Sequence, residues 1–541
     1  MRIHRSKIVT VIFGLIVSGC IFISCHKQSP SWDVGILAPV VNASMSINNI
    51  ISSPYIKNNP DSTVSLVFTD SLYNLNIDTI VTIPDTVLDY FETSPFGTAV
   101  SPGQEMFYSK QTTLYPIGSV ELTKGTLQSG FLIFKVYNPL PQPIDYYYKV
   151  LNVIRYGTHN DTLQVDTLIK AGDSLTIQKS LNGYSVDFTG PMHNGYNDIT
   201  TSIQVVLDPS AMPLNVTSGD TLVFAHVSFS NVIPYYAKGY FGTTTKAFGP
   251  QNEAFPIFNK ITAGTLNLQN VSVNLTLVNG FGVDATLNLS QLSSYNSRTN
   301  TTVNLTDAGV INSPIHVNRA TPTNNAPPAS PVNPSVLSFA INPTTSPNIL
   351  QWLDNMPTAV GYALNVTTDP LGNVSGSNDF AYYGYGISAN INVNIPLSLI
   401  ANNLTLADTL AVNFAGSGST NQHVKSGTLT IYATNGFPFS AGLQLYLLNK
   451  NNAIYDSLFI PASQTITAGV VNAVTGIVAS PQSSVLNISL DAAHTQELFN
   501  TKNIILHARF NMGSLPATYR KIYDYYQLNL KLVGNFDYQV N

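Results

Sequence analysis

Three times in this 541-residue chain an alternating run of apolar residues stops at an asparagine followed by glycine or proline. Leu132, Phe134 and Val136 lead to Asn138-Pro139. Val273, Leu275 and Leu277 lead to Asn279-Gly280. Leu429, Ile431 and Ala433 lead to Asn435-Gly436. An apolar residue follows each asparagine two positions on: Leu140, Phe281 and Phe437. A period of two is the spacing of a strand with one buried face. Asn before Gly or Pro is turn chemistry, because Asn tolerates left-handed backbone and its amide bonds its own chain. Repetition of such a unit restricts the chain to a tandem β architecture. The segments 145–150, 285–289 and 442–447 read as return strands.

The repeats predict an all-β protein of three tandem Ig-like sandwich modules. A second set of similar strands supports the division: 203–207 before Asp208, 364–368 before Asp369, and 486–490 before Asp491. A further strand opens at Asp220, Asp408 and, more weakly, Asn503. The expected organisation is 1–25 as signal and lipidated cysteine, 26–115 as a separate β-rich N-terminal piece, then modules at 116–245, 246–415 and 416–541. The length suits about three domains. Within the N-terminal piece, 65–88 is the β-rich stretch. Helical signals are few. Ser346 as cap and Pro347 at the first position predict a short helix over 348–356, with Ile349, Leu350, Leu353 and Met356 inward. Residues 319–334 read as a long loop. From Tyr526 to the end the even positions are apolar except Gly534, which reads as a bulge or bend.

Some of these residues also carry resemblances. Phe131 to Ile144, with alternating apolar residues, then Asn138-Pro139 and a short return, resembles the opening of the water-stress (late-embryogenesis type 2) β-sandwich. That resemblance implies a seven-stranded sandwich, and Gly replaces Pro after Asn in the second and third repeats. At the N-terminus, Arg2, Arg5 and Lys7 precede an apolar run over 8–17 that is too short to span a bilayer comfortably. Val17-Ser18-Gly19-Cys20 and Phe22-Ile23-Ser24-Cys25 each resemble the bacterial lipoprotein signal. The resemblance implies acylation of one cysteine. Cys25 leaves a polar tether, His26-Lys27-Gln28-Ser29-Pro30, while Cys20 has the better residue three positions before it. Trp32-Asp33 through Ala38-Pro39 resembles the start of uncharacterised Bacteroidetes lipoproteins, whose implied place is the outer membrane. No Asp that might hold the protein at the inner membrane follows either cysteine, and the region after it lacks the acidic run that resembles a surface-export signal, so the periplasmic face of the outer membrane is favoured.

Charged residues are only 10% of the chain and the net charge is −5, so basic residues are not in excess, which argues against a nucleic-acid binder. With nine histidines scattered, and without His-Glu-x-x-His, Gly-x-Ser-x-Gly or a phosphate loop, no enzyme or cofactor is expected. The oxygen-rich loop 369–379 carries Leu371 and Val374 where a calcium loop needs a ligand and a glycine, so it reads as a polar turn. Asp followed by Ser or Thr recurs, and the pattern resembles the O-glycosylation signal of Bacteroidetes envelope proteins, with Thr79, Thr86, Thr162, Thr167, Thr221 and Thr409 as acceptors. The same sequence suits a turn entering a strand. Of the tyrosine clusters, Tyr382, Tyr383 and Tyr385 are the candidate ligand contacts, since Tyr presents a rigid amphipathic face. Alternation requires some of Tyr146, Tyr147 and Tyr148 to be core. The leading expectation is a non-catalytic lipoprotein serving as scaffold, accessory subunit or binding arm, with an outer-membrane protein as partner. Glycan capture, resembling the tandem-sandwich lipoproteins of polysaccharide-uptake systems, and an outer-membrane β-barrel are the alternatives.

Overall fold

The computed structural model describes residues 32–540 apart from 52, 82, 95–96, 324–329, 413–421, 459 and 513–517. The signal, Cys20 and Cys25 lie outside the described residues. The chain forms two compact units, one from residues 1–66, 257–269 and 396–541, the other from 67–256 and 270–395.

The N-terminal stretch holds three long strands, β1 (Trp32–Ser46), β2 (Val64–Asn76) and β3 (Thr86–Thr93), and none pairs with another. Each repeat supplies three strands of one sheet: β4 (Glu121–Tyr137), β5 (Ser174–Ser180) and β6 (Thr221–Tyr240); β7 (Ser272–Asn279), β8 (Ser335–Ile341) and β9 (Gly386–Pro396); β10 (Gln422–Asn435), β11 (Gln482–Leu490) and β12 (Gln527–Val540). The orders are β3-β6-β4-β5, β2-β9-β7-β8 and β1-β12-β10-β11. The same arrangement therefore occurs three times, and the N-terminal stretch donates one strand to each, in reverse order. Residues 26–115 do not form the separate piece expected. A strand leaves a ladder of backbone donors and acceptors that must be satisfied, and these three find partners in three different sheets.

A second layer faces each of these. In the first sandwich it contains Thr162–Ile169, Ile144–Arg155, Asp198–Leu207 and Glu105–Leu114, and it is continuous with the first layer, because the short strand Tyr184–Asp187 pairs with both β4 and Ile144–Arg155 and joins all of them into one ten-stranded sheet. In the second it is built on Ala285–Asn296, Ala359–Thr368 and Thr244–Ala254. In the third it contains Ser440–Leu448, Asn503–Asn511 and Ser398–Ala411. Phe134 packs across the first sandwich on Tyr146 and Tyr148, at ring centroids of 5.3 and 5.4 Å. Glu105–Leu114 and Ser398–Ala411 thus belong with strands beyond the expected boundaries at 116 and 416. The segment 486–490 lies in β11, so it is not the counterpart of 203–207 and 364–368; Asn503–Asn511 is. Likewise 408–410 lies in a facing sheet while β6 opens at Thr221. Five alternating residues look alike in either sheet, which is why pattern alone mismatched them.

The three turn asparagines are fully buried. Each side-chain carbonyl accepts from the backbone N–H two residues on, Leu140, Phe281 and Phe437, at 2.9 Å. Each amide donates to the carbonyl four residues on, Gln142, Val283 and Phe439, at 2.9, 2.7 and 2.8 Å. It also reaches a carbonyl about thirty to forty residues downstream, Ile169, Asn318 or Thr467. One residue type satisfies a tight turn and pins a distant loop, so the repetition in sequence is a repetition of geometry. The apolar residues before each Asn are buried, and so are Leu140, Phe281 and Phe437. Each such side chain contributes roughly 1.5–3 kcal/mol by leaving water.

Other local readings are refined. Tyr146 and Tyr148 are buried while Tyr147 faces outward. The short helix, Ile349–Asp354, buries Ile349, Trp352 and Leu353, and its cap position is Asn348, not Ser346. Ser346 instead donates its hydroxyl to Asp307. Gly534 is no bulge: it stays in register opposite Ala38 and Leu429. A Cβ at Gly534 would collide with the buried Phe536 ring, as would one at Gly427. The two glycines make the floor on which that ring lies. The irregularity sits across the ladder, between Pro39 and Val41 of β1.

Candidate functional site

The outer face of the first sandwich carries a row of exposed aromatic rings that sequence reasoning did not pick out. On β3, β6 and β4, Phe91, Phe224 and Tyr137 are direct cross-strand neighbours. They are 59%, 39% and 40% exposed. The Phe91 and Phe224 centroids are 4.8 Å apart with planes at 61°, and those of Tyr137 and Phe224 are 6.0 Å apart at 31°. The local reason is alternation. Ala225 and Val136 point into the core, so the residues beside them must point out.

Two residues along each strand, on the same face, lies a polar row: Asp89, His226, Lys135 and Thr176, again direct neighbours across four strands. His226 Nδ1 and Asp89 Oδ1 are 2.7 Å apart. Ser174 continues the aromatic row on β5. The two rows line a shallow groove of about 500 Å³. Apolar ring faces beside a carboxylate, an imidazole, an ammonium and hydroxyls offer stacking together with directional hydrogen bonds. The sequence signal was an outward aromatic next to a buried position in each strand. Joining the three needed the register between distant segments.

The tyrosines chosen from sequence are distributed differently. Tyr382 ends the strand Asp379–Tyr382, which pairs with β6, and its ring lies 4.7 Å from that of Tyr236. Tyr382 and Tyr385 pack against a small cluster of Ala320, Val332 and Phe380. Only Tyr383 of the three is strongly exposed, at 47%. Burial, with Tyr382 adding to it, pushes the Tyr236 phenol up to about 12.

The loop 369–379 closes on itself. Ser377 N donates to Asn373 Oδ1 at 2.7 Å, and Asn378 N donates to Ser375 Oγ at 3.1 Å. Its two end aspartates, Asp369 and Asp379, turn inward and are buried. Arg319 holds Asp284 at 2.6 Å and Asp379 at 3.3 Å. Burial, reinforced by the charge of Asp379, raises the Asp369 carboxyl to about 8. A side-chain hydrogen bond between the Asp369 and Asp379 carboxyls adds to this rise. Among the described residues, no group of three or more His, Cys, Asp or Glu could hold a metal ion.

Thr79 and Thr409 are exposed, and Thr86, Thr162, Thr167 and Thr221 are half-buried. Of the preceding aspartates, Asp220 makes a turn bond, its Oδ2 accepting from Thr217 N at 2.7 Å, whereas Asp408 lies within a strand and its Oδ1 accepts from Thr409 N at 2.9 Å. No helix among the described residues is long and apolar enough to cross a membrane.

No protein-family model matches the chain, and no curated protein matches it. Among solved structures it is similar to a Parabacteroides distasonis protein thought to be secreted, at 9% identity and a TM-score of 0.31, over 93% of this chain and 99% of that one. It is also similar to the VP2 subviral particle of infectious bursal disease virus, at 12% identity and a TM-score of 0.11, over 91% of this chain and 86% of that one. Likeness at this level assigns no function.

Proposed function

We propose that this chain is a non-catalytic binding arm of a bacterial outer envelope, held to the outer membrane by acylation of Cys25, with Cys20 as the alternative, and facing the periplasm. The observation that carries the binding role is the exposed aromatic row Phe91–Phe224–Tyr137 beside its polar row, because an open groove of this size on a rigid sheet face is built for contact. The non-catalytic reading is supported by the histidines paired with carboxylates. His226, His193 and His494 lie 44%, 75% and 45% exposed, on open surface rather than in an enclosed cleft. The sandwich cores, with apolar residues turned between two sheets, favour this reading over a membrane barrel, whose apolar band faces lipid.

Extraction of the native lipoprotein in mild detergent, followed by mass spectrometry of the intact protein and of what co-purifies, tests both halves. The expected result is an acylated N-terminal cysteine and a stoichiometric partner or ligand that Phe224→Ala releases. An unmodified N-terminus sinks the anchor. Retention of the same partner by Phe224→Ala sinks the contact face. The same spectra read hexose-type mass additions at Thr79, Thr162 or Thr409, the test of the proposed O-glycosylation.

A further inference from the structure

We infer that the ligand of the β3-β6-β4-β5 face is a neutral oligosaccharide, laid across the strands with successive sugar rings on Phe91, Phe224 and Tyr137. The inference rests on the contact face proposed above and gives it a ligand class. A pyranose presents one face of C–H bonds with partial positive charge, which the negative face of an aromatic ring attracts, and an edge of hydroxyls. The structure offers the complement of both. The three rings sit one per strand, at 4.8 and 6.0 Å, a spacing comparable with that of consecutive units in a sugar chain. The hydroxyl edge would meet Asp89, His226, Lys135 and Thr176, one row away on the same face. A carboxylate accepts from a pair of adjacent hydroxyls, and an ammonium or imidazole N–H donates to their lone pairs.

Charge selects the neutral class. Asp89 and Lys135 oppose one another within the row, and the chain as a whole carries −5, so nothing there concentrates an anionic polymer. The ring planes turn by 61° and 31° along the row, so the bound chain must itself turn from unit to unit. That shape disfavours a flat ribbon. A nucleobase stack is disfavoured for want of a cationic track beside the rings.

The test is calorimetric titration of the purified full chain with neutral hexasaccharides of glucose, mannose and xylose in several linkages, with the matching trisaccharides and monosaccharides. Saturable binding that strengthens from one to three units is expected for at least one linkage. Phe224→Ala and Tyr137→Ala should each weaken it about tenfold or more, which is about 1.4 kcal/mol. Phe224→Trp, which offers a broader ring, should strengthen it. Tyr383→Ala should leave it unchanged. The inference is overturned if no sugar binds the wild-type chain, or if binding survives Phe224→Ala and Tyr137→Ala together. If no sugar binds but a co-purifying protein is lost on Phe224→Ala, the glycan inference falls and the contact face stands. If sugar binding is abolished by Tyr383→Ala alone, both fall.

Discussion

The first and third sheets are built alike on the inside and differently on the outside. Inward, Phe134 and Val136 of β4 correspond to Ile431 and Ala433 of β10, and all four are buried. Outward, Tyr137 corresponds to Thr434, whose neighbours across the sheet are Asn529 of β12, with Ser44 of β1 beyond it, and Ser483 of β11. Where the first sheet has Phe91, Phe224, Tyr137 and Ser174 in a row, the third has Ser44, Asn529, Thr434 and Ser483. In the second sheet the corresponding position is Val278, between Ser388 and Val336. The inner faces are constrained by packing, which tolerates only apolar residues of suitable volume. The outer faces are free, and one of them has been given three aromatic rings. That difference is the strongest argument that the first sheet has a task the other two lack.

Each sheet depends on a strand donated by the N-terminal stretch, and β1 pairs with β12 from Trp32 to Ser46. Excising residues 32–46 strips that partner and exposes the flank of β12. We expect the largest effect of any change described here. Hydrogen exchange should rise throughout β12 and β10, the protein should become prone to edge-to-edge association, and β4 and β6 should keep their protection. Equal loss of protection in β4 and β6 would show that the sheets are not independent in this way.

A smaller change tests whether the turns are equivalent. Replacing Asn138, Asn279 or Asn435 with alanine leaves buried carbonyls and one N–H unsatisfied. Each substitution should cost about 2–4 kcal/mol. Urea unfolding of the three single variants checks this. Similar costs are expected, because the bonding pattern is the same; a variant costing under about 1 kcal/mol would mark its turn as dispensable.

These turns were legible in the sequence because all their chemistry is local. The Asn, its acceptor role two residues on and its buried approach strand lie within about ten positions of each other. The sheet partners were not legible. Nothing near Trp32–Ser46 says that its neighbour is Gln527–Val540, and a long alternating strand looks complete wherever it stands. Leu486 to Asp491 imitated its supposed counterparts for the same reason. Gly534 carried a second ambiguity: a glycine in a strand signals either a bend or room for a neighbour, and only the position of Phe536 decides. The candidate site suffered most. Tyr382, Tyr383 and Tyr385 are clustered in sequence but split between packing and exposure. Phe91, Phe224 and Tyr137 are scattered in sequence and come together only through register.

A further difference between matching positions is electrostatic. Asp208 and Asp369 each follow the corresponding facing-sheet strand. Asp208 is partly exposed and accepts from Ser210 N at 2.8 Å, whereas Asp369 is buried beside Asp379, with Arg319 and Asp284 close by. Its carboxyl is raised to about 8, by burial first and then by Asp379. The folded protein therefore holds a proton that the unfolded chain releases near pH 4. Stability from this group falls as pH rises from about 4 to about 8 and then levels off. Thermal unfolding across that range should show the decline, and Asp369→Asn should flatten it and raise the melting temperature at pH 8. An unchanged slope in Asp369→Asn would remove the aspartate from the account.

The smallest effect separates binding from stability on the outer faces themselves. An exposed aromatic pair across strands contributes only about 0.2–1 kcal/mol to a sheet. Phe224→Ala, which removes the central ring of the row, should therefore lower stability by no more than about 1–2 kcal/mol in total. Asn529→Ala, at the matching place in the third sheet, should change stability by less than about 0.5 kcal/mol. If the rings were there for folding, Phe224→Ala would approach the cost of a buried large-to-small substitution, about 3–5 kcal/mol. Urea unfolding distinguishes the two. A small loss of stability alongside a large loss of ligand would establish that the first sheet keeps its aromatic row for what lies outside the protein, while the same positions of the third sheet remain ordinary surface.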